Sequence, residues 1–179
     1  NTGGYTVTNN YIGGNAPLAT GDMTVNVSGA VVTSFIGLLV STGQIPNYIE
    51  GNVIRNVDFT TTAPTANTTI FNPIQTGNGI HSIGTLTGNV IGTANGTGSL
   101  KININTGGTS SSFFAGILAI ATNGSYAIRN NTIGGITMGG TNTAGAIIPQ
   151  WIQSQGTPAQ NLDISNNLIG STSTPSSII

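Results

Sequence analysis

Residues that could take part in chemistry are few and scattered in this chain of 179 residues. The carboxylates are Asp22, Glu50, Asp58 and Asp163, and the one histidine is His81. Hydrolysis of a glycosidic bond needs two carboxyl groups held close to that bond. In the repeat pattern set out below, no two of these carboxylates share a position in neighbouring repeats. We therefore predict no pair of catalytic acids.

Metal and cofactor chemistry is not predicted either. A zinc site needs several Cys, His or carboxylate ligands, and a calcium site needs several oxygen ligands. The chain has one His, no Cys and four scattered acidic residues. His81 has no acidic partner or serine elbow nearby in sequence, so we interpret it as a structural residue. We expect no enzyme, and no catalytic, cofactor-binding or metal-binding residues.

A phrase of about nine residues recurs five times and organises the whole chain. Its clearest copy runs from Leu162 to Gly170 and contains two consecutive asparagines. The second polar position of the phrase is asparagine in every copy, at Asn10, Asn52, Asn89, Asn131 and Asn167, with intervals of 42, 37, 42 and 36 residues. A period near 40 residues is typical of repeat proteins.

We call the residues that hold the same position in every copy of the phrase a column. The columns predict a strand, a corner and a second strand. One apolar column is Val7, Ile49, Leu86, Ile128 and Ile164, and a second is Ile12, Ile54, Ile91, Ile133 and Ile169. Between them lies a column of only Asn or Gly, namely Asn9, Gly51, Gly88, Asn130 and Asn166. These residue types tolerate a left-handed backbone best. The invariant Asn column that follows predicts side-chain hydrogen bonds from one repeat to the next.

The fold expected from these columns is all-β: a right-handed parallel β-helix of about 4–5 coils, each of roughly 36–42 residues. We expect one domain over residues 1–179, either a segment of a longer chain or a stacking subunit. Each coil is predicted to contain three short strands. Glycine-centred runs at 34–40, 79–83, 115–120 and 144–148 supply a strand before the phrase, and Ser99–Asn105 adds an outer strand to one coil. Segments 60–69, 106–112 and 153–160 are predicted loops.

Composition limits the classes of function. Only 4% of the residues are charged and the net charge is -1, which excludes the clustered Lys and Arg of a nucleic-acid-binding surface. No apolar run is long enough to span a membrane. The chain is rich in Thr (28), Gly (27) and Asn (22), which are weak helix formers. With no initiator Met or signal peptide in view, we expect a processed mature form or an excised segment of an extracellular protein.

The phrases ISNNLIGSTST, AIRNNTIGGIT and AGILAIATNGSYAIRNN resemble the right-handed parallel β-helix repeats of very long secreted surface proteins, especially those of the Bacteroidetes type. The resemblance covers essentially the whole chain, and it implies the fold far more strongly than it implies a function. Many parallel β-helices act on polysaccharides, so a lyase-like or hydrolase-like protein is a remote alternative. That alternative lacks the acidic constellation it would need.

We therefore expect a structural protein of the cell exterior: a β-helical building block of a fibre, filament or sheath. The expected partner is the protein itself in a head-to-tail homopolymer, or flanking coils of the same chain. The structural residues of this interpretation are the invariant Asn column and the second apolar column. The alternative is an adhesin module that binds glycans or surfaces, with Tyr48, Phe113 and Trp151 as candidate glycan contacts.

Overall fold

The computed structural model describes residues 4–29, 32–41, 45–62, 68–105, 111–120, 124–141, 147–156, 161–173 and 178. This part of the chain is all-β, with one short 3-10 turn at Pro17–Ala19 and no α-helix. It contains no helix that is long and apolar enough to cross a membrane. The strands are β1 Thr6–Thr8, β2 Tyr11–Ile12, β3 Met23–Val27, β4 Phe35–Val40, β5 Asn47–Glu50, β6 Val53–Ile54, β7 Val57–Thr61, β8 Thr68–Thr76, β9 Ile80–Ile83, β10 Val90–Gly92, β11 Leu100–Ile104, β12 Ser112–Ile120, β13 Ser125–Arg129, β14 Thr132–Gly134, β15 Ile136–Gly139, β16 Ile147–Gln155, β17 Asn161–Ser165 and β18 Leu168–Ile169.

These strands form four parallel sheets, and every fourth strand falls in the same sheet. Sheet 1 is β1-β5-β9-β13-β17, sheet 2 is β2-β6-β10-β14-β18, sheet 3 is β3-β7-β11-β15 and sheet 4 is β4-β8-β12-β16. Each repeat thus contributes one strand to each sheet in a fixed order. Repeats 1 to 4 are β1–β4, β5–β8, β9–β12 and β13–β16, and repeat 5 begins with β17 and β18.

The all-β prediction is confirmed, but the prediction of three strands per repeat was wrong. Leu100–Ile104 is not an outer strand of one repeat, because it pairs with β7 and β15 in sheet 3. Its three apolar side chains, Leu100, Ile102 and Ile104, are fully buried. Every second residue of this strand points into the core, so the strand is an integral part of its repeat.

The glycine-centred runs also divide differently from the prediction. Strands β4, β12 and β16 lie in sheet 4, whereas Ile80–Ile83 belongs to sheet 1. The sheet 4 strand of the second repeat is Thr68–Thr76, whose first residues were predicted to be loop. Strand β16 likewise extends to Gln155. Of the other predicted loop and run segments, residues 63–67, 106–110, 144–146 and 157–160 lie outside the described residues.

One hydrophobic core runs between the sheets and takes residues from all four of them. On the sheet 4 side, aromatic rings follow one another from repeat to repeat. The Phe35 and Phe71 rings stack at 4.7 Å, Phe71 and Phe114 lie 6.0 Å apart, and Trp151 meets Phe114 edge-on at 5.7 Å. Such offset and edge-to-face pairs stabilise beyond the burial of their area. Each repeat therefore packs mainly against the repeats before and after it.

The third copy of the phrase contains an insertion that displaces its predicted apolar residue. In sheet 1 the column is Val7, Ile49, Ile83, Ile128 and Ile164, with Ile83 in the place predicted for Leu86. Leu86 is 84% exposed. Five residues separate Ile83 from Asn89, whereas two separate Ile49 from Asn52, so the additional residues bulge outward.

The same insertion moves the left-handed corner. Asn9, Gly51, Asn130 and Asn166 have φ between 57° and 64°, in the left-handed region. Gly88 is not among the residues with positive φ, and Gly84 (φ 75°) takes the left-handed conformation in this repeat. Because the insertion begins at Gly84, the chain turns there rather than directly before Asn89.

Candidate functional site

The invariant asparagines form a continuous hydrogen-bonded column that we call the asparagine ladder: Asn10, Asn52, Asn89, Asn131 and Asn167. Each of the first four donates its side-chain Nδ2–H to the Oδ1 of the next at 2.8 to 2.9 Å. Its backbone N–H donates to the same Oδ1 at 2.9 to 3.1 Å. The ladder therefore has a direction, with donors always on the earlier repeat.

A second Nδ2–H bond ties each ladder residue after Asn10 back to the repeat before it. Asn52 donates to the Val7 carbonyl at 2.9 Å and Asn89 to the Ile49 carbonyl at 2.8 Å. Asn131 and Asn167 bond to Ile83 and Ile128 in the same way, at 3.0 and 2.9 Å. Buried amides are stabilising only when such partners are present. The ladder uses both the donor and the acceptor of the amide, which explains why Asp is not found at these positions.

The second apolar column lies beside the ladder, and its exposure changes along the molecule. Ile54, Ile91 and Ile133 are completely buried. Ile12 is half-buried, and Ile169 is 44% exposed. The isoleucine of this column is therefore covered by a neighbouring repeat on both sides in the middle repeats. In the first and last repeats it is covered on one side only. In the described part of the chain, the first and last repeats therefore leave side chains of this column partly exposed.

Glu50 is a buried carboxylate held by the insertion of the third repeat. It is 6% exposed. Its oxygens accept hydrogen bonds from the Thr85 backbone N–H (3.1 Å), the Thr85 hydroxyl (2.8 Å), the Leu86 N–H (3.1 Å) and the Thr87 N–H (3.0 Å). Hydrogen bonds to an ionised acceptor are the stronger kind, and together they offset the loss of water. Glu50 therefore fixes the insertion in place.

Sequence reasoning missed this arrangement. Residues 85–88 were assigned to the repeated phrase, which left Glu50 without a partner in the predicted pattern. A usable signal was present, because residues 83–89 contain both an isoleucine before the predicted column and two glycines. These features allow a tight bulge, but they do not identify the group that the bulge binds.

The other acidic residues lie on the outside of the molecule. Asp163 forms an ion pair with Arg129, which contacts it through two guanidinium nitrogens. These bonds lower the pKa of Asp163, with a smaller contribution from the Ser165 hydroxyl. The pairing was not predicted, because the two residues lie diagonally across neighbouring strands rather than opposite each other.

Asp58 lies on sheet 3, and Asp22 lies just before the first strand of that sheet. Asp58 pairs with Thr24 on one side and Lys101 on the other, and Asp22 immediately precedes β3. In the register of sheet 3, Asp22 lies just outside β3 and two positions before Thr24, the residue opposite Asp58, which the repeat pattern did not indicate. In the described residues, no group of three or more His, Cys, Asp or Glu side chains is arranged to hold a metal ion.

His81 is packed inside the molecule. It is 1% exposed and stacks on the Tyr126 ring at a centroid distance of 5.3 Å. Its Nε2 lies 3.1 Å from the Gly77 carbonyl oxygen, so Nε2 carries the proton and donates to it. Burial lowers the pKa of His81 below its ordinary value, and the Asn78 and Gly77 carbonyls oppose that shift in part. The imidazole is neutral and bonded, as a structural residue would be.

The three candidate glycan contacts do not share a face. Tyr48 lies on sheet 1, and Phe113 and Trp151 lie on sheet 4. Tyr48 is 40% exposed and borders a depression of about 360 Å³, lined mainly by threonines and Leu86. Phe113 and Trp151 are half-buried, and the Trp151 ring packs against Phe114. An aromatic platform for a sugar would therefore rest on Tyr48 alone.

No protein-family model, curated protein or solved structure matches this chain. Its function has to be inferred from its geometry.

Proposed function

We propose that the chain is a right-handed parallel β-helix and serves as a building block of an extracellular fibre, filament or sheath, with units joined end to end. The strand order supports the β-helix, since the chain returns to the same sheet after every fourth strand. The hand follows from a general rule, because parallel strands are connected by right-handed crossovers in about 98% of cases.

The observation that carries this function is the change in burial along the apolar columns. Ile49, Ile83 and Ile128 of the first column are fully buried, whereas Ile164 of the same column is 45% exposed. Val7, at the other end, is half-buried. An end face that exposes both apolar side chains and unpaired strand edges is a surface for association with more β-structure. A further repeat placed on it would complete the columns.

In this proposal the role of the protein is mechanical. The backbone ladders of four sheets and the asparagine ladder all run in the same direction, so neighbouring repeats are joined at many points. In repeat architectures stability is a sum of contributions from each repeat and from each interface between repeats. Adding units therefore extends the structure without requiring a new kind of contact.

The outer surface fits a fibre outside the cell. The whole chain is rich in Thr, Asn and Gly and contains only 3 Lys or Arg and 4 Asp or Glu. Net charge near zero gives little repulsion between copies, which favours association. A neutral hydroxyl-rich and amide-rich surface also keeps its properties over a wide range of salt and pH, since few groups on it titrate.

The test is negative-stain electron microscopy of the purified protein together with its intact mass. We expect filaments whose subunits have the mass of the chain, 18.0 kDa. Discrete particles of that mass at micromolar and higher concentration would contradict end-to-end assembly. Filaments built from a much larger polypeptide would instead show that flanking repeats of the same chain cover the ends.

A second candidate function is glycan binding at Tyr48. The favouring observation is that its exposed side chain borders a depression that is also lined by Thr6, Thr8 and Thr87. A ring face with nearby hydroxyls suits a neutral sugar. Binding of a soluble glycan that is lost in Tyr48→Ala and kept in Trp151→Phe would support this site, and equal binding by both variants would contradict it.

A further inference from the structure

We infer that copies of this chain join in one register, with the Asn167 end of one copy placed on the Asn10 end of the next. This inference rests on the proposed end-to-end assembly and specifies its contact. In it, the backbone N–H of Asn167 donates to Oδ1 of Asn10 in the second copy. We call this contact between two copies the joint. The asparagine ladder then continues across the joint without a break.

The direction of the ladder makes its two ends complementary. In every step the earlier asparagine donates and the later one accepts. In the described part of the chain, Oδ1 of Asn10 therefore accepts no hydrogen bond from another ladder residue, and the N–H of Asn167 has no further ladder residue to donate to. One end of the molecule offers an acceptor, and the other end offers a donor.

The second set of ladder bonds is complementary in the same way. Asn52 donates Nδ2–H to the carbonyl of Val7 in the preceding repeat, and this step recurs up to the bond from Asn167 to Ile128. If this set of bonds continues across the joint, Nδ2 of Asn10 in the second copy donates to the carbonyl of Ile164 in the first copy. Within the described part of the chain, the side chain of Asn10 bonds to the Thr8 carbonyl and to Asn52.

The apolar columns match in this register. Ile164 would lie on Val7 of the next copy, and Ile169 would lie on Ile12. Ile164 and Ile169 are 45% and 44% exposed in the single chain. Their buried equivalents, Ile128 and Ile133, have no exposed area. The joint would therefore give the last repeat the environment that the fourth repeat already has.

Other arrangements of the two ends lose these contacts. Two Asn10 ends face to face would place acceptor oxygens against each other, and two Asn167 ends would do the same with donors. A contact between unlike ends is heterologous and does not close, so it produces a filament rather than a dimer. The ladder thus determines both the polarity of the contact and its open-ended growth.

The joint also determines the length of one subunit along the fibre. Sheets 1 and 2 have five described strands each, and Ile178 pairs in parallel with Ile136 at the fifth position of sheet 3. Five strand spacings of about 4.8 Å amount to an axial rise of about 24 Å for each subunit. Sheet 4 has four described strands. If the strands of sheet 4 determined the spacing of the subunits, the axial rise would be four strand spacings, or about 19 Å.

Engineered cysteines test the register, because the chain contains none of its own. Ser165 and Thr8 occupy the same column, which includes Glu50 and Arg129. In the inferred joint their Cα atoms are separated by about one strand spacing, which is within the range for a disulfide. The double variant Ser165→Cys with Thr8→Cys is expected to form a ladder of covalent oligomers under mild oxidation. The matched control, Ser165→Cys with Thr24→Cys, moves the second thiol to sheet 3 and is expected to form none.

Electron microscopy of the same samples separates the failure of this inference from the failure of the proposed function. Filaments that cross-link in Ser165→Cys with Thr8→Cys, and in neither single variant, support the register. Filaments that cross-link through Ser165→Cys alone, or equally in the Thr24→Cys control, would overturn the register and leave end-to-end assembly standing. The absence of filaments in the wild-type protein would overturn both.

Discussion

The middle repeats and the terminal repeats contain the same residue types in the same columns but bury them to very different extents. Ile133 has no exposed area, whereas Ile169, one repeat later, is 44% exposed. Asn89 and Asn131 are completely buried, whereas Asn10 is exposed. The sequence of a repeat is therefore not sufficient to define its stability, because the neighbouring repeats on either side cover its apolar and amide side chains.

The largest effect should come from placing a charge in a fully covered column. Ile133→Asp would bury an unpaired carboxylate among apolar side chains, and we expect it to destabilise the protein by about 4 kcal/mol or more. Ile169→Asp, measured on unassembled protein, is the matched control at the end, where water can reach the carboxylate. Thermal or urea unfolding of both variants measures the difference. Equally small losses of stability in the two variants would contradict the assignment of Ile133 to the interior.

The next largest effect should come from breaking the ladder at its centre. Asn89→Ala removes the acceptor for the N–H and Nδ2 groups of Asn52, and leaving these donors buried without a partner costs about 3 kcal/mol. Asn10→Ala removes a side chain whose Oδ1 accepts nothing from the ladder, so we expect a loss of about 1 kcal/mol. Urea unfolding compares the two. A larger loss for Asn10→Ala would mean that the ladder does not stabilise the interior.

Glu50 offers a comparison between a buried and a surface carboxylate. Glu50→Gln replaces an ionised acceptor with a neutral one that also carries hydrogens facing backbone donors, and we expect a loss of about 2 kcal/mol. Asp163→Asn breaks the exposed ion pair with Arg129, and pairs of this kind contribute little. We expect the melting temperature of Asp163→Asn to stay at the wild-type value. Unchanged melting of Glu50→Gln would show that the insertion holds its conformation without the carboxylate.

The smallest effect concerns pH and the buried His81. Its pKa is lowered from the ordinary value of 6.5 by burial, so the unfolded chain takes up a proton before the folded chain does. The stabilisation linked to neutral His81 is complete above pH 6.5 and decreases as the pH falls towards the folded-state pKa. We expect the melting temperature to decrease over this range, and the decrease to be smaller in His81→Phe. Identical pH profiles for the two proteins would contradict the assignment.

Much of this arrangement can be predicted from the sequence, because the repeat is visible as residues of the same type at near-regular intervals. Five asparagines and five isoleucines at near-regular intervals predict columns, and the structure places Ile12, Ile54, Ile91, Ile133 and Ile169 in one sheet in that order. The error at Leu86 has a definite cause. Aligning repeats by their most regular phrase hides an insertion inside it, and only the strand register shows that Ile83 takes the column position.

The sheet 3 and sheet 4 strands were harder to predict than the phrase. Met23–Val27, Val57–Thr61 and Leu100–Ile104 share alternation but few identical residues, so no single motif links them. The partner of Glu50 could not be predicted, because three of the four groups that bind it are supplied by backbone amides. Every residue except proline has a backbone N–H donor, so composition and spacing do not show which of these donors bind a side chain.

The central claim is that the ends of the molecule are completed by copies of itself, and the axial rise of the assembled protein tests it most directly. Cryo-electron microscopy of filaments at high protein concentration measures this rise. The account predicts filaments with about 24 Å between subunits, five strand spacings, and with the asparagine ladder continuous through each joint. Monomers that do not assemble, or filaments in which like ends meet, would contradict it.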